Sequence, residues 1–579
     1  MSTADHRLII TLLVAMSLLV FGRTIGFDFV NWDDNDNLYR NPFFNPPTWD
    51  GLTFFWTHSY KQFYLPLTYT VWWILSKFAT LSVPDEKGIW LNPSVFHLTN
   101  VALHAASVVL AWQVLRRVVR DDWAAAIGAL VWGLHPLKVE PVAWVTGMKD
   151  VLSGFWALAA IVQFQAAIAV DDRRRRRVRL AGSVIAYFVA MLCKPTMVAA
   201  LPIAVVLAIW EDRHRWRTAA RGGLVLAAFA VPIVLLALYL GRTTGLRFTY
   251  PLWARPLVAG DAAAFYLCKT FVPWPLTITY GRSPAAVIQS GVAYWTWIAP
   301  TALLGLAFAL RRRAGWMLAC SLIFLLGIVP ASGLVPFGYQ PISTVADRYM
   351  YLPLLGAAGA SAVAVAVARY RARRATWALA TMAVIALGLA SWEQAGTWRD
   401  STVLFAQLVK VNPQSFGRSL YAAELQNDGR LDEALRVMKS VVADEPDDFV
   451  ARVRLAQLLD QTGHKDEAVA QAKVVSDLFL RHPDRLPHLT VLEQARLGAI
   501  LQLADTLDGI IATVRPRLSS NDARTRVHLA MLMAGGGRRA DAEALLDQAK
   551  IISPRDELVA DARVVLDEFS GDAGGRQRH

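Results

Sequence analysis

The chain has 579 residues, of which 55% are hydrophobic and 18% charged, and its mean hydropathy is +0.34. Because soluble domains carry about 25% charged residues, this composition excludes a protein that is water-soluble along its whole length. The net charge of +13 does not indicate a nucleic-acid groove, since the arginine clusters stand at the ends of apolar segments, where the positive-inside bias of membrane proteins places them.

The first predicted element is an apolar helix from Leu8 to Gly26, which is long enough to cross a bilayer. No small-residue cleavage site follows it, so we expect a retained membrane helix rather than a signal peptide. Hydropathy predicts ten further spans, at residues 95–115, 123–141, 151–170, 179–193, 197–210, 222–241, 291–310, 315–332, 351–369 and 375–392.

Arginine clusters predict the sides of these spans. The clusters lie at residues 116–117, 173–177, 213–217, 311–313 and 369–374. With the N-terminus in the cytoplasm, eleven spans keep every cluster inside and leave the C-terminus outside. Residues 27–94 and 242–290 are then outside. The stretch from Tyr64 to Leu81 is predicted as an amphipathic helix in the membrane surface, and Ala262 to Thr279 as a re-entrant or surface segment that two prolines interrupt.

After Trp392 the charged fraction rises and a repeat appears. The repeated residues are Gly429, Glu433 and Ala434, which recur 34 positions later as Gly463, Glu467 and Ala468. This is the period of tetratricopeptide repeats, in which two antiparallel helices meet at a glycine turn. A third unit fits at Gly537, Ala542 and Pro554, after an irregular helical stretch at about 485–520. The sequence therefore predicts an all-α protein with a membrane helical bundle over residues 1–395 and a tetratricopeptide-type solenoid over 396–579.

The most unusual polar segment directly follows the first span, in the predicted outside loop 27–94. Asp33, Asp34 and Asp36 place three carboxylates within four residues at a membrane surface. A carboxylate there can act as a general base toward an incoming hydroxyl, or contribute to a divalent-cation site. The alternative is a solvated turn, rich in Asp and Asn, that ends the helix.

Three more loops predicted on the outside carry ionisable groups. These are His135, Lys138 and Glu140 with Lys149 and Asp150, then Lys194, and last Asp347 and Arg348. For Lys138 we expect a side chain that snorkels to the surface, and for Asp150 the alternative is an exposed helix start. Arg348 lies on the side that the positive-inside bias disfavours. It is therefore predicted either to bind a phosphate or to pair with a loop carboxylate.

Ionisable groups in four outside loops indicate an outward-facing cavity for an anionic, lipid-linked substrate, which an inert apolar bundle does not need. The chain has no Walker-type phosphate loop and no GxSxG or HExxH motif, so ATP use, serine hydrolysis and zincin chemistry lack support. Cys193, Cys268 and Cys320 stand in apolar contexts without CxxC spacing. They predict buried small side chains rather than disulfides or zinc ligands.

These features together resemble a known family. The Asp-Asp pair, the segments HPLKVEPVAWVTGMKD, KPT and ADRYMYLPLL, and the repeats after them are similar to the transmembrane and tetratricopeptide-repeat O-mannosyltransferases and their bacterial relatives, within the glycosyltransferase C superfamily. The resemblance covers nearly the whole chain, in the same order of parts. The chain departs from the animal members in having few repeats. It also has GMKD where they tend to have arginine, which keeps the charge but not the bidentate geometry.

The resemblance implies about eleven helices and a polyprenyl- or dolichyl-phosphate sugar used on the periplasmic or lumenal side, in a bacterial inner membrane or the endoplasmic reticulum. By that analogy Asp33 or Asp34 takes the proton from an acceptor Ser or Thr hydroxyl, which attacks the sugar, mannose in the family, with inversion. The departing lipid phosphate is held by Arg348, Lys149 and Lys194, and the substrates are positioned by His135, Glu140, Asp150 and Asp347. A divalent metal at Asp33 and Asp34 stays open, because metal use differs within the superfamily.

Three functions are distinguished at this point. The first is the glycosyltransferase, with the repeats as a docking module for an acceptor protein. The second is a non-catalytic membrane scaffold whose repeats recruit partners, and the third is a transporter for an anionic lipid. A transporter needs ionisable groups deep inside the spans, whereas here they concentrate at the predicted outer ends. We therefore favour the transferase, with a lipid-linked sugar, an acceptor protein and membrane lipids as partners and no nucleic acid.

Overall fold

The computed structural model describes residues 3–61, 63–243, 250–481, 491–517, 522–554 and 556–575. Within these ranges every regular element is helical and only isolated β-bridges occur, so the predicted all-α class is confirmed. By its contacts the chain divides into two units, Met1–Asn412 and Pro413–His579. The predicted boundary lay at residue 395. The helix Ser401–Val411, which follows that point, is part of the first unit.

The first unit consists of α-helices joined by short 3₁₀ turns, a π-helical turn at Asn35–Tyr39 and irregular loops. Polar residues begin several of the helices, because the side chains of Asn92, Asp121 and Asp172 accept hydrogen bonds from backbone N–H groups of the first turn. The α-helices are Thr3–Phe21, Trp49–Thr57, Pro66–Ala79, Pro93–Val119, Asp122–Gly133, Val139–Ala143, Met148–Ala169, Arg173–Cys193, Ala200–Glu211, Trp216–Thr243, Ala254–Phe271, Pro284–Gln289, Ala293–Thr296, Ile298–Ala309, Gly315–Ile328, Leu355–Ala368, Arg373–Ala395 and Ser401–Val411.

Five helices of the described chain are long and apolar enough to cross a membrane. They are Thr3–Gly26, Pro93–Val119, Met148–Ala169, Arg213–Leu240 and Arg373–Trp398, and each coincides with a predicted span. Four more predicted spans coincide with shorter apolar helices, which are Pro195–Glu211, Ala293–Ala309, Gly315–Ala331 and Leu355–Ala368. The structure thus supports five spans by length, and the number eleven stays a prediction.

The predicted span 123–141 is wrong at its C-terminal end. The helix Asp122–Gly133 stops before His135, whose backbone is extended at φ −73° and ψ 137°. Pro136 is the cause, because the residue before a proline is driven out of the α region. Residues 136–143 then form two short helical turns in which every residue is buried. Their apolar character reflects burial inside the protein rather than contact with lipid.

Glycines let helices of the first unit approach at backbone distance. A Cβ added at Gly128 would lie 2.6 Å from the carbonyl oxygen of Ala358, and one added at Gly356 would lie 2.4 Å from that of Cys320. Such small residues at helix contacts are the usual means of close packing in membranes, where water does not drive helices together.

The cysteines follow the prediction at two of three positions. Cys193 and Cys320 are buried, but Cys268 is exposed. The expectation was wrong for Cys268 because an apolar neighbourhood in a membrane protein can face lipid as well as the protein interior.

The predicted surface helix is present as Pro66–Ala79. One face carries the buried side chains of Tyr69, Trp72 and Trp73, whereas Phe78 on the other face is 76% exposed. An apolar residue exposed in this way suits a helix that lies in the membrane surface, and that placement stays a prediction.

The second unit is a series of helix pairs. The pairs are Ser415–Asn427 with Leu431–Asp444, Phe449–Gln461 with Lys465–Arg481, Val491–Leu503 with Leu507–Val514, and Ala523–Gly535 with Arg539–Ile552, before a last helix Glu557–Gly575. Alanines at the repeated small positions are fully buried between helices, as at Ala422, Ala434, Ala456 and Ala468. The stretch predicted as irregular contributes the third pair.

Residues with a left-handed backbone conformation form the turns inside these helix pairs. Gly429, Gly463 and Gly537 have φ angles of +74°, +82° and +80°, a conformation that glycine adopts without strain. They are the glycines whose spacing predicted the repeat. In the third pair Asp505 takes this conformation with φ +54°. Aspartate is one of the few other residues that does so, and the glycine pattern is therefore interrupted there.

Replacing Gly535 with alanine should destabilise the repeat unit. An added Cβ would lie 1.7 Å from the carbonyl oxygen of Ala495, so two helices must separate, at a cost of about 1–3 kcal/mol. Gly509 is the matched control, because nothing lies within 4 Å of its added Cβ and alanine favours a helix. Pulse proteolysis of the full chain, read as cleavage within 413–579, should show a lower denaturant midpoint for Gly535→Ala alone. Equal midpoints for the two variants would contradict the close helix contact.

Candidate active site

Four of the predicted site residues line one cavity of the first unit. The cavity has a volume of about 520 Å³, and its wall includes Asp33, Lys149, Lys194 and Arg348. Much of the remaining wall is apolar or aromatic and comes from residues 63–65, 233–240 and 330–342. The structure therefore brings together side chains from four segments that are well separated in sequence.

Asp33 and Lys149 form an ion pair in the cavity wall. Lys149 Nζ lies 3.1 Å from Asp33 Oδ2, and 41% of the Asp33 side chain is exposed. Lys149 stands in the first turn of the helix Met148–Ala169, and its ammonium lies 5.1 Å from the ring centre of Trp144. Asp33 is therefore a carboxylate that a ligand in the cavity can reach.

Asp150 holds Lys194 at the cavity. Lys194 follows the helix Arg173–Cys193, and its Nζ lies 2.5 Å from Asp150 Oδ1. Burial lowers the pKa of Lys194, and the negative charge of Asp150 opposes that shift. Asp150 is itself buried, so it is not the exposed helix start considered as the alternative; it positions an ammonium group.

Glu140 holds Arg348 in a buried ion pair. Glu140 Oε1 accepts a hydrogen bond from Arg348 Nη1, and Oε2 accepts one from the backbone N–H of Arg348 at 2.8 Å. The guanidinium carbon also lies 4.5 Å from the ring centre of Tyr339 and 5.0 Å from that of Tyr349, a cation–π arrangement. The carboxylate pairing considered for Arg348 is thus present. Because a guanidinium has five N–H donors, others remain for a phosphate.

Asp34 has a different environment from Asp33. It is fully buried, and its Oδ2 and Oδ1 accept the backbone N–H groups of Val30 and Thr146, both at 3.0 Å. Burial raises the pKa of Asp34 to about 7. Both oxygens are used by backbone donors, and Asp34 does not line the cavity. The catalytic role of Asp34 stays a prediction, and in this structure the side chain ties the first loop to the segment that precedes Lys149.

The raised pKa of Asp34 predicts a pH-dependent stability. The folded carboxyl, with its pKa of about 7, keeps its proton to higher pH than the unfolded one. Its contribution is therefore largest below about pH 4 and is lost as the pH rises toward about 7. Asp34→Asn should flatten the fall in unfolding temperature between about pH 5 and pH 8. It should also lower stability by about 1–3 kcal/mol, because an amide NH₂ then faces a backbone N–H.

Asp36→Asn is the control for this pH effect, because 53% of the Asp36 side chain is exposed. Its unfolding temperature should follow the wild-type pH profile. An unchanged pH slope in Asp34→Asn would contradict the assignment to Asp34.

The cavity wall includes none of the four residues predicted to position substrates, which are His135, Glu140, Asp150 and Asp347. Nδ1 of His135 accepts a backbone N–H at 3.2 Å, and its Nε2 bonds to the carbonyl of Thr270 at 3.0 Å. Both ring nitrogens are thus used by the backbone, and the substrate contact of His135 stays a prediction that requires one of these hydrogen bonds to break. Asp347 is buried, and its Oδ1 accepts the hydroxyl of Tyr280 at 2.8 Å.

Lys138 corrects a further expectation. It is fully buried, and its Nζ donates to the backbone carbonyls of Met350, at 3.0 Å, and Tyr351. The ammonium also lies 4.2 Å from the ring centre of Trp132. Lys138 therefore does not snorkel to the surface, because carbonyl oxygens inside the protein supply the hydrogen bonds that a buried charge needs.

The Asp33 and Asp34 pair does not form a cation site in this arrangement. Among the described residues no three His, Cys, Asp or Glu side chains come together as metal ligands. Asp34 uses both oxygens on backbone N–H groups, and Asp33 faces an ammonium, whereas Mg²⁺ and Ca²⁺ require several open oxygen ligands. The cavity wall instead offers cationic side chains, which are Lys61, Lys149, Lys194 and Arg348.

Several other residues of the cavity wall were not predicted from the sequence, among them Lys61, Tyr339, Ile233, Leu236 and Leu240. The three aliphatic residues fall in a predicted span, and hydropathy does not separate side chains that face a cavity from those that face lipid. For Lys61 a signal was available, since a lysine in a predicted outside loop runs against the positive-inside bias. No sequence signal pointed to Tyr339.

Comparisons with known proteins match both parts of the chain. The family model described as tetratricopeptide repeat matches residues 425–479. The protein O-mannosyl-transferase TMTC3 of Homo sapiens is 22% identical over 431 residues, which are 66% of this chain and 46% of the relative. The Drosophila melanogaster Tmtc3 is 23% identical over 539 residues, 76% of this chain and 55% of its own length. The Mus musculus TMTC2 is 29% identical over 157 residues, 26% of this chain and 17% of the relative.

This chain spans about half the length of the TMTC3 relatives that it matches. Among solved structures, a chain of the crystal structure of APC/C hetero-tetramer Cut9-Hcn1 covers 83% of this chain and 90% of its own, at 13% identity and a TM-score of 0.23, which is too low to support a common fold. The repeats are confirmed by the family model, and the resemblance is confirmed by relatives of that name. This chain is a homologue of the transmembrane and tetratricopeptide-repeat protein O-mannosyltransferases.

Proposed function

We propose that this chain is an inverting membrane glycosyltransferase that moves a sugar from a polyprenyl- or dolichyl-phosphate donor to a Ser or Thr hydroxyl of a protein. Mannose is the sugar that the relatives' names indicate. In this proposal the cavity and the repeat unit face the non-cytoplasmic side. The observation that carries it is the cavity that joins Asp33 to Lys149, Lys194 and Arg348.

The lining of the cavity suits a lipid-linked phosphate. One part of the wall is cationic, and another is formed by Ile233, Leu236 and Leu240 on a membrane-length helix whose span is only 22% buried. A polyprenyl chain can therefore follow that helix toward lipid while its phosphate stays beside the cations. A volume of about 520 Å³ lies in the range of about 300–1,000 Å³ typical of small-molecule sites, which accommodates a sugar phosphate but not a long isoprenoid.

The chemistry assigned to Asp33 is general-base catalysis. Its carboxylate takes the proton of the acceptor hydroxyl as that oxygen bonds to the anomeric carbon. The bond from this carbon to the phosphate oxygen breaks, and its electron pair stays on the phosphate. Attack opposite the leaving group inverts the configuration. Lys149, Lys194 and Arg348 stabilise the charge that grows on the departing phosphate, where charge stabilisation has its largest effect.

The ion pairs of the cavity wall link binding of the donor phosphate to the availability of Asp33 as a base. Lys194 and Arg348 are held by deeply buried carboxylates, at 3% and 2% exposure, whereas Lys149 is held by Asp33, which is 41% exposed. A donor phosphate therefore competes most easily for Lys149. Once Lys149 turns to the phosphate, the Asp33 carboxylate loses its ion-pair partner and its oxygens can accept the hydrogen of the acceptor hydroxyl, so donor binding makes the base available.

The repeat unit is assigned to the acceptor protein in this proposal. Its paired helices form the type of solenoid that holds extended peptides on a concave surface, and the tetratricopeptide family model covers its first two pairs in part. Such binding would raise the local concentration of acceptor Ser and Thr side chains for the catalytic unit.

Mass spectrometry of extracytoplasmic proteins tests the proposal. Cells that express the wild type should carry hexose-shifted Ser or Thr peptides that Asp33→Asn cells lack. Asp36→Asn is the matched control, since it removes a nearby carboxylate that lies outside the cavity wall and is 53% exposed, and it should keep the modification. Identical peptide masses in all three strains would refute the transferase and leave the membrane scaffold as the better account.

A further inference from the structure

A second polar cleft of the first unit lies at the helix ends opposite to those around the Asp33 cavity. The helix Thr3–Phe21 has His6 in this cleft, whereas its C-terminal end leads to Asp33. At 19 residues and about 1.5 Å per residue, that helix separates the two sites by about the thickness of a bilayer core. The cleft has a volume of about 900 Å³ and shares no residue with the cavity around Asp33.

Arginines dominate the wall of this cleft. Four of them, Arg116, Arg117, Arg120 and Arg369, stand against two aspartates, Asp121 and Asp122. They come from the end of the helix Pro93–Val119 and from the residue that follows Leu355–Ala368. The wall therefore carries an excess of positive charge at the point where two apolar helices end.

Ion pairs hold these guanidinium groups in place. Arg116 Nε lies 2.8 Å from Asp122, Arg117 lies 3.0 Å from Glu211, and Arg369 pairs with Asp121. Each contact uses only part of a guanidinium, which has five N–H donors in a fixed fork. The cleft thus presents several oriented donors, and oriented arginine forks are the side chains best matched to phosphate oxygens.

A buried donor in the wall lacks an acceptor. Nε of Arg369 is buried and makes no hydrogen bond to any described residue. An unpaired buried N–H is costly, and because 30% of the Arg369 side chain is exposed, a small rotation that turns Nε toward a ligand oxygen in the cleft would satisfy it. Trp112 and Trp123 also line the cleft, and tryptophan is enriched at the depth of lipid headgroups.

We propose that this cleft binds the phosphate of an anionic glycerophospholipid. The recognised chemistry is a phosphate group held by two or more arginines. The position of the cleft at the ends of membrane-length helices assigns that phosphate to a lipid headgroup rather than to a soluble ion, since basic pockets between membrane helices bind anionic headgroups. The proposal depends on the chain being embedded in a membrane and does not depend on glycosyl transfer.

Native mass spectrometry of the full chain, released from mixed micelles, tests this site. Phosphatidylglycerol is offered against phosphatidylcholine at about 0.5 M salt, where exposed charges more than about 5 Å apart are screened. The wild type should retain phosphatidylglycerol about tenfold better than phosphatidylcholine, and the double variant Arg120→Gln, Arg369→Gln should lose that preference. The double variant Arg312→Gln, Arg313→Gln removes as much charge outside the cleft wall and should keep it.

Arg120→Gln alone is a second test in case Arg369→Gln impairs folding, because within the described residues the Arg120 side chain donates only to the backbone carbonyl of Glu211. It should reduce phosphatidylglycerol retention several-fold. Equal retention by the wild type and the cleft variants, or an equal loss in the Arg312 and Arg313 control, would overturn the proposal. A rise in unfolding temperature with inorganic phosphate that matches the rise with phosphatidylglycerol would also overturn it, in favour of a soluble anion.

Discussion

Replacing Glu140 with alanine is expected to lower the stability of the first unit by about 3–5 kcal/mol, because it leaves Arg348 as a buried charge without its partner. Glu140 and Arg348 keep only 2% and 9% of their side chains exposed, and Glu140 accepts both a guanidinium and a backbone hydrogen bond from Arg348. Thermal unfolding of the purified chain in detergent measures the loss. The same variant should lose transfer activity, since Arg348 then has no fixed position in the cavity wall.

A double variant separates the two roles of this ion pair. In Glu140→Leu, Arg348→Met the buried charge is removed together with its partner, and such apolar replacements are often neutral or stabilising. The unfolding temperature should therefore return toward the wild-type value while activity stays lost, because no guanidinium remains for the phosphate. A double variant that is both stable and fully active would show that Arg348 has only a structural role.

The second large effect is expected in turnover. Asp33→Asn should reduce the rate of sugar transfer by about 10²–10⁴-fold, the usual contribution of a general base. The free energy of unfolding should change by less than about 1 kcal/mol, because the ion pair between Asp33 and Lys149 is partly exposed to solvent. Steady-state kinetics with a lipid-phosphate sugar should show the loss in kcat rather than in KM for the donor, since the amide removes the proton acceptor but no cation.

Asp34→Asn provides the internal comparison for that experiment. It changes the neighbouring carboxylate, which is buried between the N–H groups of Val30 and Thr146. It should lower stability while leaving kcat of the folded fraction within a few-fold of wild type. The reverse pattern, with activity lost in Asp34→Asn and kept in Asp33→Asn, would reassign the base.

The elements of the fold were largely predictable from the sequence. A helix that crosses a bilayer needs about 20 mostly apolar residues. For this reason helices such as Pro93–Val119 and Met148–Ala169 lie where hydropathy predicted them. The 34-residue period was visible because the turn residues Gly429 and Gly463 both need a left-handed backbone. The segment after Gly133 was misjudged, since burial in protein and burial in lipid select the same apolar side chains.

The candidate site was predictable as a set of residue types but not as a set of pairs. Glu140 and Arg348 are 208 positions apart, and no local spacing relates them. Nor does the sequence distinguish Asp33 from Asp34, because adjacent residues of one loop differ in burial only through tertiary contacts. The same holds for His135, whose ring nitrogens are taken by backbone groups that no motif indicates.

The most direct measurement is transfer by the purified full chain in lipid vesicles, with polyprenyl-phosphate sugars as donors and a Ser- and Thr-containing protein as acceptor. We expect one polyprenyl phosphate to be released for each sugar transferred, with the anomeric configuration of the product inverted. Both signals should be absent in Asp33→Asn. Retention of configuration, or transfer that continues unchanged in Asp33→Asn, would contradict a displacement assisted by the carboxylate in this cavity.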